Sequence, residues 1–421
     1  MPIVRDDNLA GAAQWMAASG QYNRAARVSL ALLLLFYTSF TYAQLPFVQN
    51  GKAGFVISQF RYALPQDAAE TGACPQGMSL NVQDIFAQTA AGKRLPQESD
   101  NEYSARLRSG GELFATAADG QNLCMNPEAG EPDPHFRTVD LSTMPMPGID
   151  LDGGHSAEDR AENTCEHVAF TGTDGETGID NQFYRVVGCS ASFQSTGPSN
   201  GFDTEMLTGS WGILMTLSGL DDIVDDDSVE VSIYANSDPI QLSPGRKPLA
   251  YATYLADPDP EFSATTQGRI KDGILTTDPT DVLFHSVVNS MYLRRPLHAA
   301  RLQLAVSEDG LLEGYLAGYT PVEAMYNVQY GYRDGKTSTG ELAPLRLRSG
   351  SANGAAQVLG HTCNGAYHAL YRYADGHRDP ETGRCTSIST QYRIEALPAF
   401  VIERNENDIG QGISAERSNA L

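Results

Sequence analysis

Asp150, Asp152, Asp174, Glu176 and Asp180 crowd one glycine-bearing stretch of this chain, in the strings Asp150-Leu151-Asp152-Gly153 and Asp174-Gly175-Glu176. Calcium takes roughly six to eight hard oxygens, and carboxylates spaced this closely supply them at low backbone strain. Ca2+ is therefore the cofactor the stretch would hold. The spacing is not that of an EF-hand, which needs a further oxygen ligand at its fifth position and a glutamate at its twelfth. An Asp/Gly-rich solvated loop, whose aspartates only make turns, accounts for the same pattern.

Three histidines form the one enzyme-like constellation. His361 and His368 share a stripe of an expected helix, yet seven helical residues put them about 10 Å apart, too far to share a metal. His377, in the loop Asp375-Gly376-His377-Arg378-Asp379, is placed to fold back toward one of them. Such histidines more often pack or face solvent, so the chain reads as a non-enzyme before it reads as an enzyme. It has no HExxH, Walker or GxGxxG motif. It also has no Cys-x-x-Cys, so no redox centre of thioredoxin type, zinc ribbon or c-type haem is expected, and no nucleotide.

The elements that must position these groups are mainly strands. Val229-Glu230-Val231-Ser232-Ile233-Tyr234 and Leu302-Gln303-Leu304-Ala305-Val306-Ser307 alternate apolar and polar, the period of a strand with one face buried. Asp272-Gly273, Asp309-Gly310 and Asp334-Gly335 punctuate the same region, and Asp-Gly readily adopts the positive φ angles of a tight hairpin turn. The expectation is a mainly β protein with some helix. Its core would be an antiparallel β-sandwich or jelly-roll over 149–335, preceded by a mixed segment, 44–148, and followed by a helix plus closing strands, 336–403. Helical spacing is expected over Leu80 to Ala87, Pro96 to Arg108 and Asn353 to Tyr373, and a frayed tail over 404–421.

Compartment follows from the start of the chain. Val28 to Tyr37 (VSLALLLLFY) is an apolar run with Arg24 and Arg27 before it and Thr41-Tyr42-Ala43 after it. That is the layout of a secretory leader, 1–43, cut before Gln44, with Met16 as an alternative true start. The run is half the length a bilayer span needs, so no membrane span is expected after leader removal. Export to the periplasm or beyond would oxidise Cys74, Cys124, Cys165, Cys189, Cys363 and Cys385. Six cysteines allow fifteen connectivities, of which sequential pairing makes three local loops and is the expected one. Formal net charge is −23; the leader holds three arginines and two aspartates, so its removal leaves −24. That charge repels nucleic acid and anionic membranes.

Three strings, GIDNQFYRVVGC (Gly178 to Cys189), GSWGILMTLSGLDD (Gly209 to Asp222) and VEVSIYANSDP (Val229 to Pro239), resemble a group of uncharacterised secreted proteins of Gram-negative bacteria. The resemblance covers most of residues 70 to 400. It implies a periplasmic or extracellular location and carries no functional residue across. The leading expectation is an exported, disulfide-braced binding or structural protein of the bacterial envelope, calcium-stabilised, with a carbohydrate or envelope protein as partner. Competing expectations are a secreted hydrolase of a glycan or ester, and an accessory subunit of a periplasmic redox assembly.

Overall fold

The computed structural model describes residues 45–65, 72–120, 122–140, 145–153, 164–194, 197, 206–207, 211–236, 238–288, 291–332, 337–340, 346–347 and 360–403. The expected leader and tail, Asp159, Leu359 and Asp334-Gly335 lie outside these residues.

Eight antiparallel strands carry the core: Lys52–Tyr62 (β1), Gly212–Ser218 (β2), Asp226–Asn236 (β3), Ser263–Lys271 (β4), Ile274–Thr277 (β5), Met291–Val306 (β6), Leu312–Pro321 (β7) and Cys385–Ile402 (β8). They pair in the order β1-β2-β3-β4-β5-β6-β7-β8, and β8 pairs back onto β1 from Phe55↔Pro398 to Tyr62↔Tyr392. That last pairing closes the sheet into a barrel. The expected sandwich or jelly-roll is thereby overturned. Alternation buries one face in either architecture, and only the pairing of chain ends separates them. A bulge in β1 between Ile57 and Gln59 supplies the bend closure needs, with Ser58 Oγ donating to the Glu395 carbonyl.

Sequence alternation maps directly onto the wall. Phe55, Ile57, Ile213, Met215, Leu217, Val229, Val231, Leu302, Leu304, Leu316, Tyr392 and Ile394 belong to one buried cluster. An eight-stranded barrel is just wide enough for side chains to fill it, and these side chains pack together as its core. Phe60 stacks on Tyr392 and meets the edge of the fully buried Trp211. On the open stretch of wall the outward residues of β4, from Ser263 to Lys271, are exposed and polar. Asp272 and Gly273 join β4 to β5 with φ of 51° and 76°, as their sequence expects.

Five helices accompany the barrel: Val82–Gln88 (α1), Asp100–Phe114 (α2), Gln182–Val187 (α3), Val322–Tyr330 (α4) and Cys363–Arg372 (α5). Helix α2 opens with a capping box between Ser99 and Glu102. Residues of α3, α4 and α5 join the barrel cluster around Tyr62, whose hydroxyl approaches Met325 Sδ at 3.8 Å. Of the helix expected over Asn353 to Tyr373, residues 353–359 lie outside the described ones; a helix runs from Cys363 to Arg372, with Gly360 at φ 75° just before it and the Thr362 side chain capping Gly365 N. No described helix is long and apolar enough to cross a membrane.

Two layers cover the outer wall. Residues 238–256 lay Ile240, Tyr254 and Ala256 on Val56, Leu214 and Tyr234; within them Ala252–Leu255 adds a parallel strand to the end of β8. Residues 145–153 and 164–181 cover β7 and β8, where Ala317 and Tyr319 pack against Ile149 and Leu151.

The disulfides join Cys74 to Cys189, Cys124 to Cys363 and Cys165 to Cys385, with Cα separations of 5.7, 5.0 and 6.0 Å. They span 115, 239 and 220 residues, so sequential pairing is overturned. The reason is topological: the barrel returns distant segments to one place, and Cys165–Cys385 ties a covering segment to β8 there.

Candidate functional site

Apart from a short hairpin pairing Phe170–Thr171 with Thr177–Ile179, the layer over β7 and β8 is irregular chain, so its backbone polar groups need partners from elsewhere. The outward residues of β8 provide them. Gln391 donates to the carbonyls of Ile149 (2.7 Å) and Asp180 (2.8 Å) and accepts from Ile149 N (3.2 Å). Ser389 Oγ accepts from Gln182 N (2.9 Å), and Cys165–Cys385 fastens the same layer covalently. From Ser387 to Tyr392 strand β8 is thus buried on both faces, with Ser387, Ser389 and Gln391 outward.

Within this layer the side chains of Asp152, His167 and Asp180 converge, one ligand-type atom from each lying within 4.8 Å of the others. His167 Nε2 is 2.7 Å from Asp180 Oδ1 and 3.8 Å from Asp375 Oδ2. His167 Nδ1 donates to the Cys165 carbonyl at 2.9 Å, since a carbonyl can only accept. Asp180 Oδ2 accepts from Leu151 N (2.7 Å) and Asp152 N (3.2 Å). Asp375 Oδ1 accepts from Ser389 N (2.7 Å), and Asp375 backbone groups bond Cys165 N and the Ser387 carbonyl. Tyr319 projects from β7 into the same place.

Burial sets the electrostatics. It pulls the His167 imidazole down, but the hydrogen bond to Asp180 and the charges of Asp375 and Asp180 outweigh it and raise the group to about 9. Burial pushes the Asp375 carboxyl up to about 7, with His167 opposing and Asp180 reinforcing the shift. The Tyr319 hydroxyl is raised well above its ordinary value by burial and by the charges of Asp375, Asp180 and Asp152.

Of the five carboxylates singled out in the sequence, the fold therefore brings Asp152 and Asp180 together. Asp150 and Glu176 line a neighbouring polar cleft of about 610 Å³, with Asp227, Asp278, Arg269 and Arg301. Asp150 Oδ1 also accepts from Gly153 N, and Asp174 Oδ1 from Glu176 N, both local turn bonds. The histidines His361, His368 and His377 each meet different neighbours. His361 is buried against Phe136, and burial holds it down at about 4. His368 Nε2 contacts the Gly130 carbonyl at 2.6 Å, pinning a loop to α5.

His377 instead meets a residue that sequence reasoning missed. Its ring centroid lies 4.6 Å from that of His298, whose Nδ1 contacts Asp281 Oδ2 at 3.1 Å while Asp281 Oδ1 accepts from Ala299 N. Ala299 (φ 47°) and His377 (φ 55°) are both in the left-handed region, which costs energy for residues with a Cβ. Ala299 sits in a bulge of β6, where the register shifts against both Thr280–Val288 and β7. Such bulges re-aim side chains, and this one puts His298 on a cleft of about 550 Å³ with Asp281, Val282, Leu293, Pro296 and Val328 in its walls.

Neither His167 nor His298 carries a sequence signal: each is a single histidine in a strand or loop with its partners far along the chain. A Gly-x-Ser-x-Gly string also occurs at Gly197-Pro198-Ser199-Asn200-Gly201, and its serine lies outside the described residues. No protein-family model, curated protein or solved structure matches the chain.

Proposed function

We propose that this is an exported binding protein that takes its ligand on the outer wall of the barrel, in the cleft at His298, and not inside the barrel. The observation that carries the reading is the strained bulge at Ala299, which presents an Asp281-oriented imidazole to a partly apolar cleft, while the barrel cluster is made of packed apolar side chains. Three long-range disulfides support an oxidising compartment outside the cytoplasm. Apolar residues inside and polar residues on the open wall are the reverse of a membrane-spanning barrel, which supports a protein surrounded by water.

A ligand for this cleft needs apolar faces and hydroxyls for the imidazole and carboxylate. With the chain so acidic, a neutral glycan fits better than an anionic one. A second reading, ester hydrolysis, is favoured by the Asp281–His298 contact, since a carboxylate-oriented imidazole is the form of a general base.

Full-length protein expressed in a Gram-negative host tests the export reading: the mature form should start at Gln44 and titrate no free thiol. Neutral chitin and glucan oligosaccharides, and p-nitrophenyl butyrate, test the cleft. Oligosaccharide binding weakened in Asp281→Asn and His298→Gln supports binding; butyrate turnover abolished by His298→Gln supports hydrolysis. Neither effect, or either one unchanged in both variants, contradicts the assignment of the cleft.

A further inference from the structure

We infer that His167, Asp180 and Asp375, with Asp152 and Tyr319 beside them, form a buried binding site for one divalent transition-metal cation of the zinc or manganese type. The inference is independent of the ligand cleft.

The first support is how each side chain is held. His167 has its Nδ1 proton committed to the Cys165 carbonyl, which turns Nε2 inward, and a cation would take the place of the Nε2 proton that Asp180 now accepts. Asp180 has Oδ2 committed to two backbone amides, which leaves Oδ1 facing His167. Asp375 has Oδ1 committed to Ser389 N, which leaves Oδ2 facing the same nitrogen. A second shell of backbone groups that fixes one atom of each ligand and presents the other is how metal sites are built.

The second is spacing. Two ligands, each about 2.1 Å from a shared cation, lie roughly 3–4 Å apart. His167 Nε2 is 2.7 Å from Asp180 Oδ1 and 3.8 Å from Asp375 Oδ2, and one carboxylate oxygen of Asp152 lies within 4.8 Å of His167 and Asp180. A shift of a few tenths of an ångström opens the His167–Asp180 contact to admit an ion.

The third is an unmet need. Asp375 is 0 % exposed and Tyr319 4 %. Asp375 Oδ2 and Tyr319 Oη make no hydrogen bond among the described residues. A buried polar atom left so is destabilising. A cation at the centre would satisfy the carboxylate oxygen and give the hydroxyl a polarised neighbour.

Donor chemistry names the class. Calcium and magnesium prefer all-oxygen shells, whereas an imidazole beside carboxylates suits zinc or manganese. The Ca2+ expected from the sequence would need more oxygens than converge here. The site also joins three segments far apart in the chain, which Cys165–Cys385 holds in register without the ion.

The test uses the mature full-length protein, stripped with a chelator, dialysed and titrated with Zn2+, Mn2+ and Ca2+ by calorimetry, with metal content by mass spectrometry. One equivalent of Zn2+ or Mn2+ should bind and raise Tm, with Ca2+ inert at the same concentration. Affinity should fall at least about 100-fold in His167→Gln and Asp375→Asn, while Asp174→Asn, outside the cluster, binds as the parent does. Because the cluster variants can misfold, the parent protein loaded with Co2+ is a second readout. Its visible spectrum should show nitrogen–oxygen coordination, and Zn2+ should displace it. Uptake of no metal, of Ca2+ alone, or of Zn2+ equally in His167→Gln, Asp375→Asn and parent would overturn the site.

Discussion

The barrel's outer wall is covered twice, and the two covers are built on opposite principles. Residues 238–256 present Ile240, Tyr254 and Ala256 to Val56, Leu214 and Tyr234, and add one regular strand, so apolar contact and ladder hydrogen bonds suffice. Residues 145–153 and 164–182 present mostly irregular backbone to Ser389 and Gln391, and beside them lies a charged cluster of one imidazole and three aspartates. The first needs no disulfide; the second is fastened by Cys165–Cys385. An apolar cover tolerates changes of shape that keep volume, whereas a polar cover fails when any partner is lost, because each leaves another group buried and unmet. A protein that needed only to shield its barrel could have used the first design twice. The second is the one that concentrates chemistry.

The largest expected effect separates the covers by their staple. Replacing Cys165 and Cys385 by serine should cost about 2–5 kcal/mol and speed amide hydrogen exchange in 164–181 while leaving 238–256 protected. Equal exchange gains in both layers would erase the distinction. Tyr254→Ala probes the apolar cover and should cost about 3–5 kcal/mol in denaturant melts, since its ring is fully buried and its hydroxyl accepts from Gln241 N. Gln391→Ala probes the polar cover and should cost about 2–4 kcal/mol by releasing three backbone groups. Gln391→Leu, which restores volume, should recover little of it; full recovery would make that layer apolar in energetic terms too.

Acidity distinguishes the covers next. In chelated protein, His167 at about 9 and Asp375 at about 7 are both raised above their unfolded values. The folded state then binds more protons, so these groups stabilise it most at low pH. Asp375 gives up its share as pH climbs from about 4 to 7, and His167 gives up its own between about 6.5 and 9. Tm should therefore fall from pH 6 to pH 9.5, by up to about 3 kcal/mol of stability for His167, and the fall should shrink in His167→Gln. His361 acts with the opposite sign. Held down at about 4, it contributes stability above pH 6.5 that is lost as pH drops toward 4. The smallest effect is Tyr319→Phe in the chelated protein. Removing a hydroxyl with no hydrogen bond among the described residues should be neutral or slightly stabilising. A loss above about 1 kcal/mol would reveal a partner the geometry does not show.

What the sequence made legible was local. Alternation in Val229–Tyr234 and Leu302–Val306 placed strands, and Asp272-Gly273 placed a hairpin turn whose φ angles follow from its residue types. Barrel closure was not legible, because it depends on β1 meeting β8, as when Ser58 bonds Glu395 337 residues away. The disulfides failed for the same reason. The site was half legible: Asp152 and Asp180 stood out by density, but His167 did not. Asp150 and Asp174, just as prominent in the sequence, accept local turn bonds and lie outside the His167 cluster. Nothing in a period of two or 3.6 announces that a strand's outer face will be buried under irregular chain.

The most direct test is anomalous diffraction from crystals of the parent protein grown with Zn2+ and measured at the zinc absorption edge. The account predicts one dominant peak about 2 Å from His167 Nε2, Asp180 Oδ1 and Asp375 Oδ2. A refined map with no peak there, and His167 still bonded to Asp180 at 2.7 Å, would show that the cluster is an ion pair and that the polar cover holds no metal.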